Sequence, residues 1–455
     1  MTRVSPPACD VHGVIDRRRF GRYLLGSAGA LTTGGRSLRA LAQAAEPRRV
    51  FAHYMVCCPI AGHDGTVDEF RAEIRQAQGQ GIDGFALNCG SWTKEPYYRA
   101  IVERLFEAAA SLGTNFKLFF SADGLSEADT VAMVSEFYDQ PNMYRFEGKP
   151  MLSTFAGDPD WADAVLRGLE ARQHPVTFVP FFYAAHGRYA DAEIANLVEK
   201  SPELDGYFYF GAAGFGEEIA GTSRRLADAW RRAGKPYMAP VTPYYRGLGP
   251  RNYRLFETRG FEGMAMEWEA AIAGQAQWVE IVTWNDWGES TYVASFGSPS
   301  ETTLWDGHWG PLLSHEAYLA ASANYIRWFK TGEQRIERDD LFWFYRLAPK
   351  SVRGLSQPLI GTLAYPDNAD SLLDRVFATT FLTAPALLRI DSGDHSYEYP
   401  LPDGIHHVSV DFWLGPQRFT LLREGQTVLV GEGAFPIGTD NRTNFNYLSG
   451  QASPV

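Results

Sequence analysis

The sequence of 455 residues predicts a mixed α/β fold, a (β/α)8 barrel of the TIM type followed by a C-terminal antiparallel β-sandwich. Two features of the sequence support this prediction. Between residues 50 and 332, eight short apolar runs alternate with eight helical patterns, as the strand-and-helix units of such a barrel require. After residue 341, short alternating runs are separated by turn sequences, which is typical of antiparallel sheets. A doubly wound open sheet is the alternative to the barrel.

The predicted barrel strands are short runs of β-favouring residues with few charges, as in sheets that are buried on both faces. They cover residues 50–55, 84–88, 117–122, 150–155, 177–182, 206–210, 236–241 and 278–283. The predicted helices cover residues 67–80, 96–112, 128–138, 161–172, 192–200, 223–233, 260–273 and 316–331. Several helices end next to a glycine (Gly81, Gly113 and Gly234), which is the preferred residue beyond a helix C-terminus.

The last barrel strand leads directly into a loop that holds two acids, Asp286 and Glu289, among the indole rings of Trp284 and Trp287. Loops at the carboxyl ends of barrel strands carry the active site in enzymes of this fold. Paired carboxyls suit glycoside hydrolysis, because one must donate a proton while the other acts as base or nucleophile. The indole rings would stack on sugar rings. The loop therefore indicates a sugar-cleaving site.

The same spacing has a second, structural interpretation. Asn285 or Asp286 could begin a helix, with Glu289 completing a capping box, and spacing alone leaves both interpretations open. Polar and aromatic residues at the ends of other predicted strands favour catalysis, since a barrel brings these ends to one face. They are His53, Tyr54, Asn88, Asp123, Tyr183, His186, Tyr244 and Tyr245.

Residues 1–45 are predicted to be an export signal and not part of the fold. Arg17, Arg18 and Arg19 resemble the basic part of a twin-arginine signal, an apolar run follows at 23–33, and residues 42–44 resemble a cleavage site. The apolar run is too short to span a bilayer. A disordered basic N-terminus is the alternative. Export by this route predicts a periplasmic or extracellular protein.

The chain is acidic, with a formal net charge of −12, and its first 44 residues hold seven Lys or Arg but only two Asp or Glu. The remainder is therefore more acidic still. Nucleic acids and anionic membranes attract basic surfaces, so we expect neither as a partner, and no membrane insertion. A neutral polysaccharide is unaffected by this charge.

Three cysteines follow the predicted signal, Cys57, Cys58 and Cys89. An odd count with one adjacent pair is a poor framework for disulfides, and the spacing matches no zinc site. We expect small buried residues near strand ends. A bridge from Cys57 or Cys58 to Cys89 is left open.

Residues 46–335 are expected to form the catalytic barrel and residues 341–455 a β-sandwich accessory domain. The second region contains an aromatic run at 341–345 and short strand candidates at 386–390, 407–413 and 427–430. It would either brace the barrel or bind glycan. Bracing is favoured, because the sequence has no dense row of aromatic residues that would mark a binding platform.

Six segments resemble, in order, glycoside hydrolase family 71, whose best-known members are fungal α-1,3-glucanases, or mutanases. The segments are residues 50–56 (VFAHYMV), 81–88 (GIDGFALN), 117–123 (KLFFSAD), 149–155 (KPMLSTF), 234–241 (GKPYMAPV) and 283–290 (TWNDWGES). The resemblance extends over nearly the whole chain after the predicted signal. It implies a barrel with a β-sandwich that hydrolyses α-1,3-glucosidic bonds of an α-glucan with inversion, without a metal or organic cofactor. We expect a monomer.

The family places its catalytic acids in a Trp-Asn-Asp-aromatic-Gly-Glu-Ser motif, which matches Asp286 and Glu289 here. A third functional aspartate, at the end of the third strand, matches Asp123. We expect Glu289 to be the general acid and Asp286 the general base or water-positioning group, with the reverse assignment left open. Asp123 would bind a sugar hydroxyl or keep one acid protonated, unless it only begins the turn at Gly124.

Substrate contacts are expected from nine residues around these acids, with polar groups binding glucose hydroxyls and rings stacking on glucose. The set is His53, Tyr54, Asn88, Tyr244, Trp284, Asn285, Trp287, His186 and His308. For His53 the alternative is a core histidine satisfied by a neighbouring group.

Several residues differ from the family pattern. Trp287, Thr291 and Ala156 stand where members commonly have Tyr, His and Glu, and the run Cys57-Cys58-Pro59 is unusual. These differences leave both predicted catalytic acids in place, but they make the identity of the substrate uncertain. A related enzyme acting on a different bacterial or plant polysaccharide is therefore one alternative.

Two other classes of protein are considered. A non-catalytic glycan-binding protein would keep the aromatic residues, but both acids are present in this chain. A metal-dependent deacetylase or lyase could use His53, Asp123 and His186, although no paired-histidine spacing supports a metal site.

Overall fold

A computed structural model describes residues 46–155, 157–182, 189–200, 204–249, 252–296, 312–352, 366–440 and 445–455. The predicted signal lies outside the described residues, and so do Ala156, Tyr183, His186 and His308. Arg48–Val455 form one compact unit. None of the helices described in these ranges has the length and apolar character of a membrane span.

The first part of the chain contains strands that alternate with helices, as predicted. The strands are β1 (Arg49–Met55), β2 (Gly84–Cys89), β3 (Lys117–Asp123), β4 (Arg145–Phe146), β5 (Lys149–Phe155), β6 (Thr177–Phe178), β7 (Tyr207–Phe208), β8 (Tyr237–Val241), β9 (Tyr245–Gly249), β10 (Asn252–Phe256) and β11 (Trp278–Ile281). The helices are α1 (Val67–Gly79), α2 (Pro96–Ser111), α3 (Glu127–Phe137), α4 (Pro159–Glu170), α5 (Asp191–Lys200), α6 (Gly216–Arg232), α7 (Glu262–Ala273) and α8 (Glu316–Thr331). All eight predicted strands and all eight predicted helices have a counterpart.

Eight of these strands form a parallel sheet in the order β6-β5-β3-β2-β1-β11-β8-β7. Strand β4 pairs with β5 in the antiparallel direction, and β9 and β10 form a separate hairpin. The sheet curls, because Trp278 of β11 contacts Phe146 of β4 across a ring distance of 4.8 Å although four strands lie between them. The fold is therefore mixed α/β with a curled parallel sheet.

Local sequence signals explain where the elements begin and end. Thr66 and Glu69 form a reciprocal capping box at the start of α1, and the Asp158 side chain accepts the N–H of Trp161 at the start of α4. Gly81 and the two other glycines predicted to follow helices have positive φ angles, which glycine adopts without a steric penalty. The strands are almost continuously buried, as expected for a parallel sheet covered on both faces.

Several elements differ from the prediction. Strand β6 ends at Phe178 instead of residue 182, because Pro180 has no N–H to donate to a sheet. Helix α6 begins at Gly216, seven residues early, since Gly216 and Gly221 weaken the helical signal of its first turns. The short strand β4 and the hairpin of β9 and β10 were not predicted.

The C-terminal part consists of two antiparallel sheets, which confirms the change of pattern after residue 341. Its strands are β12 (Asp340–Arg346), β13 (Arg375–Leu382), β14 (Ala386–Ser392), β15 (His395–Leu401), β16 (Gly404–Asp411), β17 (Gln417–Arg423), β18 (Gln426–Glu432), β19 (Tyr447–Gln451) and β20 (Ser453–Pro454), with one 3-10 turn at Ala369–Ser371. The sheet orders are β16-β13-β12-β19 and β15-β14-β17-β18-β20. One apolar cluster contains residues of both sheets, and the rings of Trp343 and Phe419 stack at 4.8 Å within it.

The C-terminal sheets contact the first part of the chain through buried hydrogen bonds. Tyr244 Oη donates to the carbonyl of Phe445 at 3.0 Å, and Tyr447 Oη donates to Glu257 Oε1 at 2.7 Å. His315, just before α8, contacts Asn446 Oδ1 at 3.0 Å. These contacts agree with a bracing role for the C-terminal sheets.

Candidate active site

The loop after β11 folds into a tight turn around the two predicted catalytic acids. Asp286 N–H donates to Thr283 Oγ1 at 2.9 Å, and Asp286 Oδ1 accepts the N–H of Glu289 at 2.8 Å. Ser290 completes the turn with a φ of 57°, in the left-handed region. Asp286 therefore makes one of the two hydrogen bonds of a capping box, the bond that its side chain accepts from the N–H of Glu289. The reciprocal bond of a capping box is not made, since the Asp286 N–H is occupied by Thr283.

The side chain of Glu289 is held by the hairpin of β9 and β10. Tyr245 Oη donates to Glu289 Oε1 at 2.8 Å, and Asn252 Nδ2 donates to the same oxygen at 3.2 Å. The backbone N–H of Arg246 donates to the Glu289 carbonyl at 2.9 Å. Burial, and then the negative charge of Glu289, raise the pKa of Tyr245, so that this hydroxyl remains a donor.

A second group of polar side chains lies at the carboxyl ends of neighbouring strands. His53 Nδ1 lies 2.6 Å from Glu280 Oε1, and both side chains are buried. Asn88 Nδ2 donates to Asp123 Oδ2 at 3.2 Å. Burial raises the pKa of Asp123, while the bond from Asn88 and the nearby His53 oppose the increase. The structure thus brings His53, Asn88 and Asp123 together, as predicted, and adds Glu280.

Register explains why these residues share one face of the sheet. Met55 pairs with Asn88, and Asn88 with Ser121, so side chains at this level point to the same side in parallel strands. Within the described residues, His53 Nε2, Glu280 Oε2 and Ser121 Oγ are buried atoms with no hydrogen-bond partner. Such atoms are rare in packed interiors, which distinguishes this group from an ordinary core.

Two phenylalanines at the same strand ends were not predicted as site residues. Phe210 lies edge-on to His53 with ring centres 5.0 Å apart, and Phe155 lies 4.7 Å from Phe210. Both rings are half-buried, so part of each is accessible. Phe155 ends β5 and Phe210 follows β7, and this position at strand ends could have marked both as site residues. Phenylalanine is so common in cores that the sequence did not distinguish them.

Asn285 and Trp287 lie beside Asp286 but are buried, and they bind the turn after β1. Asn285 Oδ1 accepts the N–H of Met55 at 2.7 Å, while its Nδ2 donates to Met55 O at 3.0 Å and to Cys58 O at 2.9 Å. Trp287 Nε1 also donates to Cys58 O at 2.9 Å, and 1% of the residue is exposed. A ring with no exposed face cannot stack on a sugar, so these two residues hold the loop instead of the predicted substrate.

Tyr54 and Trp284 face helix α1, on the side of the sheet opposite to His53. Trp284 Nε1 donates to Glu73 Oε2 at 3.2 Å, and both rings pack against Phe85. The physical reason is the alternation of side chains along a strand, which sends Tyr54 away from the side that His53 faces. Burial raises the pKa of Glu73 to about 7, although the bond from Trp284 opposes the increase.

Tyr244 is also buried, with its hydroxyl bonded to Phe445 and its ring 5.0 Å from that of Tyr447. It contacts the C-terminal sheets, whereas its neighbour Tyr245 binds Glu289. His186 and His308 lie outside the described residues. Among the residues that are described, no group of three or more His, Cys, Asp or Glu side chains is arranged to hold a metal ion.

Comparison with known proteins identifies the family. The profile of glycosyl hydrolase family 71 matches residues 46–454, which include every strand and helix described above. The chain belongs to glycosyl hydrolase family 71. A mutanase of Penicillium rubens is 30% identical to this family 71 chain over 422 residues, covering 90% of this chain and 89% of that protein.

A glucan endo-1,3-α-glucosidase of Schizosaccharomyces pombe is 28% identical over 430 residues, covering 89% of this family 71 chain and 94% of that protein. An ascus wall endo-1,3-α-glucanase of the same yeast is 22% identical, covering 91% of this chain and all of that protein. Among solved structures, a GH99 endo-α-mannosidase from Bacteroides thetaiotaomicron aligns with a TM-score of 0.48 and 15% identity, covering 62% of this chain and 97% of that chain.

Proposed function

We propose that this chain is a glycoside hydrolase that cleaves α-1,3-glucosidic bonds of an α-glucan, acting as a monomer. Membership of family 71 supports glycoside hydrolysis. The similarity to a mutanase and to a glucan endo-1,3-α-glucosidase extends over about nine-tenths of the chain and so includes the site, which supports the substrate. A different bacterial or plant polysaccharide is the second candidate, because Trp287 and Thr291 stand where members commonly have other residues.

The arrangement of Glu289 is the observation that supports its assignment as general acid. Tyr245 and Asn252 each donate a hydrogen bond to one oxygen of its carboxyl, Oε1. These bonds hold the carboxyl in one orientation, as a group that delivers a proton to one oxygen of the substrate requires. The proton would pass to the leaving glycosidic oxygen.

Asp286 would act as general base in an inverting mechanism, in which the two carboxyls flank the scissile bond and one activates water. Its Oδ1 accepts the N–H of Glu289, and a hydrogen bond of this kind favours the ionised carboxylate that a base requires. Deprotonated water would then attack the anomeric carbon as the leaving oxygen departs with its proton.

Asp123 and Asn88 are proposed to bind glucose hydroxyls next to the acids. His53 is fully buried and lies near Asp123, so it is proposed to position these groups from beneath the surface. Asp123, whose pKa is raised by burial, is positioned to accept or share a proton from a hydroxyl. Half-buried Phe155 and Phe210 would supply the apolar contact that was predicted from the indoles.

The parallel sheet is proposed to close into a (β/α)8 barrel over residues 46–335. Backbone bonds join its two end strands: Asp205 N–H and Phe208 N–H donate to Phe178 O and Pro180 O at 3.1 and 3.0 Å. The shared apolar cluster supports a β-sandwich for residues 341–455. Export by the twin-arginine route, as residues 1–45 predict, would give the enzyme access to an external glucan.

Incubation with insoluble α-1,3-glucan and a panel of other glucans tests the function. Release of reducing ends from α-1,3-glucan is expected, and proton NMR of the first product should show the β-anomer if the reaction inverts. The Asp286→Asn and Glu289→Gln variants should lose activity, whereas Asp139→Asn, a change of an exposed acid, should retain it. No release from any glucan, or full activity in both site variants, would exclude the proposal.

A further inference from the structure

Cys57 and Cys58 are neighbours in the chain, and their sulfur atoms lie 3.0 Å apart. The two residues are 4% and 7% exposed, so that bulk solvent hardly reaches them. They lie in the turn after β1, which is closed by a 3.0 Å bond from Cys58 N–H to Met55 O. The sulfur separation in a disulfide is about 2.05 Å, so an approach of about 1 Å would join the two atoms.

The same turn is bonded to the candidate site through the Cys58 carbonyl. Cys58 O accepts bonds from Asn285 Nδ2 and Trp287 Nε1, each 2.9 Å long. Cys57 O accepts a bond of 2.8 Å from the His63 ring. Asn285 and Trp287 are the residues on either side of Asp286. The position of the Cys58 carbonyl therefore fixes the chain around a candidate catalytic acid.

We propose that Cys57 and Cys58 are a redox modification site, which forms a vicinal disulfide and thereby sets the position of the loop that carries Asp286. Hydrogen peroxide is small enough to reach buried thiols and would be the oxidant. It converts one thiol to a sulfenic acid with release of water, and the second thiol then displaces hydroxide as a second water. Two thiols and one peroxide thus give one disulfide and two waters.

A disulfide between adjacent residues is strained, which makes it reversible. Adjacent Cα atoms are about 3.8 Å apart across a trans peptide, whereas disulfides usually span about 4.4–6.8 Å. Strained disulfides are more easily reduced and belong to the labile, regulatory class. The new ring would contain the peptide bond between the two cysteines. Closing it would turn that peptide, which carries the Cys57 carbonyl and the Cys58 N–H. Because Cα of Cys58 is also a ring atom, the next peptide would shift with it, and that peptide carries the Cys58 carbonyl to which Asn285 and Trp287 are bonded.

Cys89 provides the matched control. It is a third buried thiol, at the end of β2, without an adjacent cysteine. Burial and the nearby charge of Asp123 raise the pKa of its thiol, which disfavours the reactive thiolate. Peroxide treatment is therefore expected to leave Cys89 as a thiol while Cys57 and Cys58 are joined.

The first test is chemical and does not depend on enzyme activity. The purified protein is treated with hydrogen peroxide, alkylated, and digested with trypsin, which yields residues 50–71 as one peptide. This peptide should be lighter by two hydrogens and unalkylated, and dithiothreitol should restore both alkylation sites. Cys89→Ser should behave in the same way, whereas Cys57→Ser and Cys58→Ser should not. Only sulfinic or sulfonic products, or a peptide linked to Cys89, would overturn the proposal.

The second test measures coupling to the site and rests on the proposed function. Oxidised and re-reduced protein are compared on α-1,3-glucan, with a reversible change in kcat of about tenfold or more expected, since displacements of about 1 Å can cost up to 100-fold. Cys57→Ser should give the same kcat with and without peroxide. A disulfide without any change in kcat would overturn the coupling to Asp286. Absence of activity in both states would instead contradict the proposed function, and the mass measurement would still decide the disulfide.

Discussion

His53 and Glu280 form a buried pair at the carboxyl ends of two adjacent strands, with His53 Nδ1 lying 2.6 Å from Glu280 Oε1. Because Nδ1 faces the carboxyl, the contact fixes the orientation of the imidazole ring and directs Nε2 away from Glu280. Burial raises the pKa of Glu280, which the contact with His53 opposes. Glu280 therefore acts on the site through His53 and is a positioning residue.

Replacing Glu280 with Gln should lower kcat more than it changes KM. Gln retains the shape but loses the charge that holds the imidazole, and loss of a charged hydrogen bond costs about 1.5–3 kcal/mol. That corresponds to a fall in kcat of about tenfold or more. The pH dependence of kcat should also change, since the variant lacks one titrating carboxyl of the pair. Steady-state kinetics from pH 4 to 8 measure both effects.

Glu267→Gln is the matched control for this variant. Glu267 is also a buried acid with one strong bond, to Thr242 N–H at 2.6 Å, and burial raises its pKa. It lies on α7 and is bonded to Thr242 instead of His53. The control should change stability without altering the pH profile of kcat. Equal kinetic losses in the two variants would show that Glu280 is merely structural.

Glu73 should make the free energy of unfolding depend on pH. Burial raises its pKa from 4.5 to about 7, so the folded state binds the proton more tightly than the unfolded state between these values. The stability due to the protonated carboxyl is complete below about pH 4.5 and is lost as the pH rises through about 7. Relative to Glu73→Gln, the wild type should lose on the order of 3 kcal/mol across this window. Urea unfolding at several pH values measures the difference.

Glu69 on the same helix offers a control of opposite sign. Its pKa is lowered by the hydrogen bonds from Thr66, so its contribution is present above pH 4.5 and is lost as the pH falls. Glu69→Gln should therefore reduce stability most at neutral pH. If Glu73→Gln also reduced stability most at neutral pH, the prediction that Glu73 has a raised pKa in the folded protein would be wrong.

Tyr245→Phe should reduce kcat by about tenfold, because it removes one of the two hydrogen bonds that orient Glu289 Oε1. Tyr244→Phe is the comparison, since this neighbouring hydroxyl is bonded to Phe445 in the C-terminal part. It should cost about 1 kcal/mol of stability and leave kcat unchanged. Calorimetry and initial rates on the two variants distinguish the roles. A loss of kcat in Tyr244→Phe alone would contradict the observed placement of both tyrosines.

The sequence was sufficient for the order of strands and helices, because apolar periodicity and glycine caps are local signals. It also placed Asp286, Glu289 and Asp123 at or just after strand ends, as the structure has them, since polar residues that end an apolar run stand out. Their roles in catalysis stay predictions. It did not predict which face a side chain would take at a strand end. Tyr244 was preferred to Tyr245, although only the second contacts Glu289. A shift of one residue exchanges the two faces, and the sequence does not fix that register.

Contacts between residues far apart in the sequence were the other feature that the sequence did not predict. Glu280 lies within an apolar strand, where a lone charge is itself a signal, but its significance depends on His53, 227 residues away. The hairpin that holds Glu289 has a tertiary role that no local pattern reveals. The indoles were assigned to sugar because they flank the acids, yet their N–H groups are bonded to Cys58 and Glu73. Tryptophan packs in cores more often than on ligands, and here both rings do so.

Trp287→Phe decides whether this indole binds substrate or supports the loop. Phe keeps most of the ring but loses the bond from Nε1 to Cys58 O, so the variant should lose about 1–2 kcal/mol of stability. KM for a soluble α-1,3-glucan oligosaccharide should stay within about twofold, because 1% of Trp287 is exposed. Phe210→Leu, a change of a half-buried ring next to His53, should instead raise KM with little effect on stability. A large increase in KM for Trp287→Phe, together with an unchanged KM for Phe210→Leu, would show that the indole of Trp287 contacts the sugar.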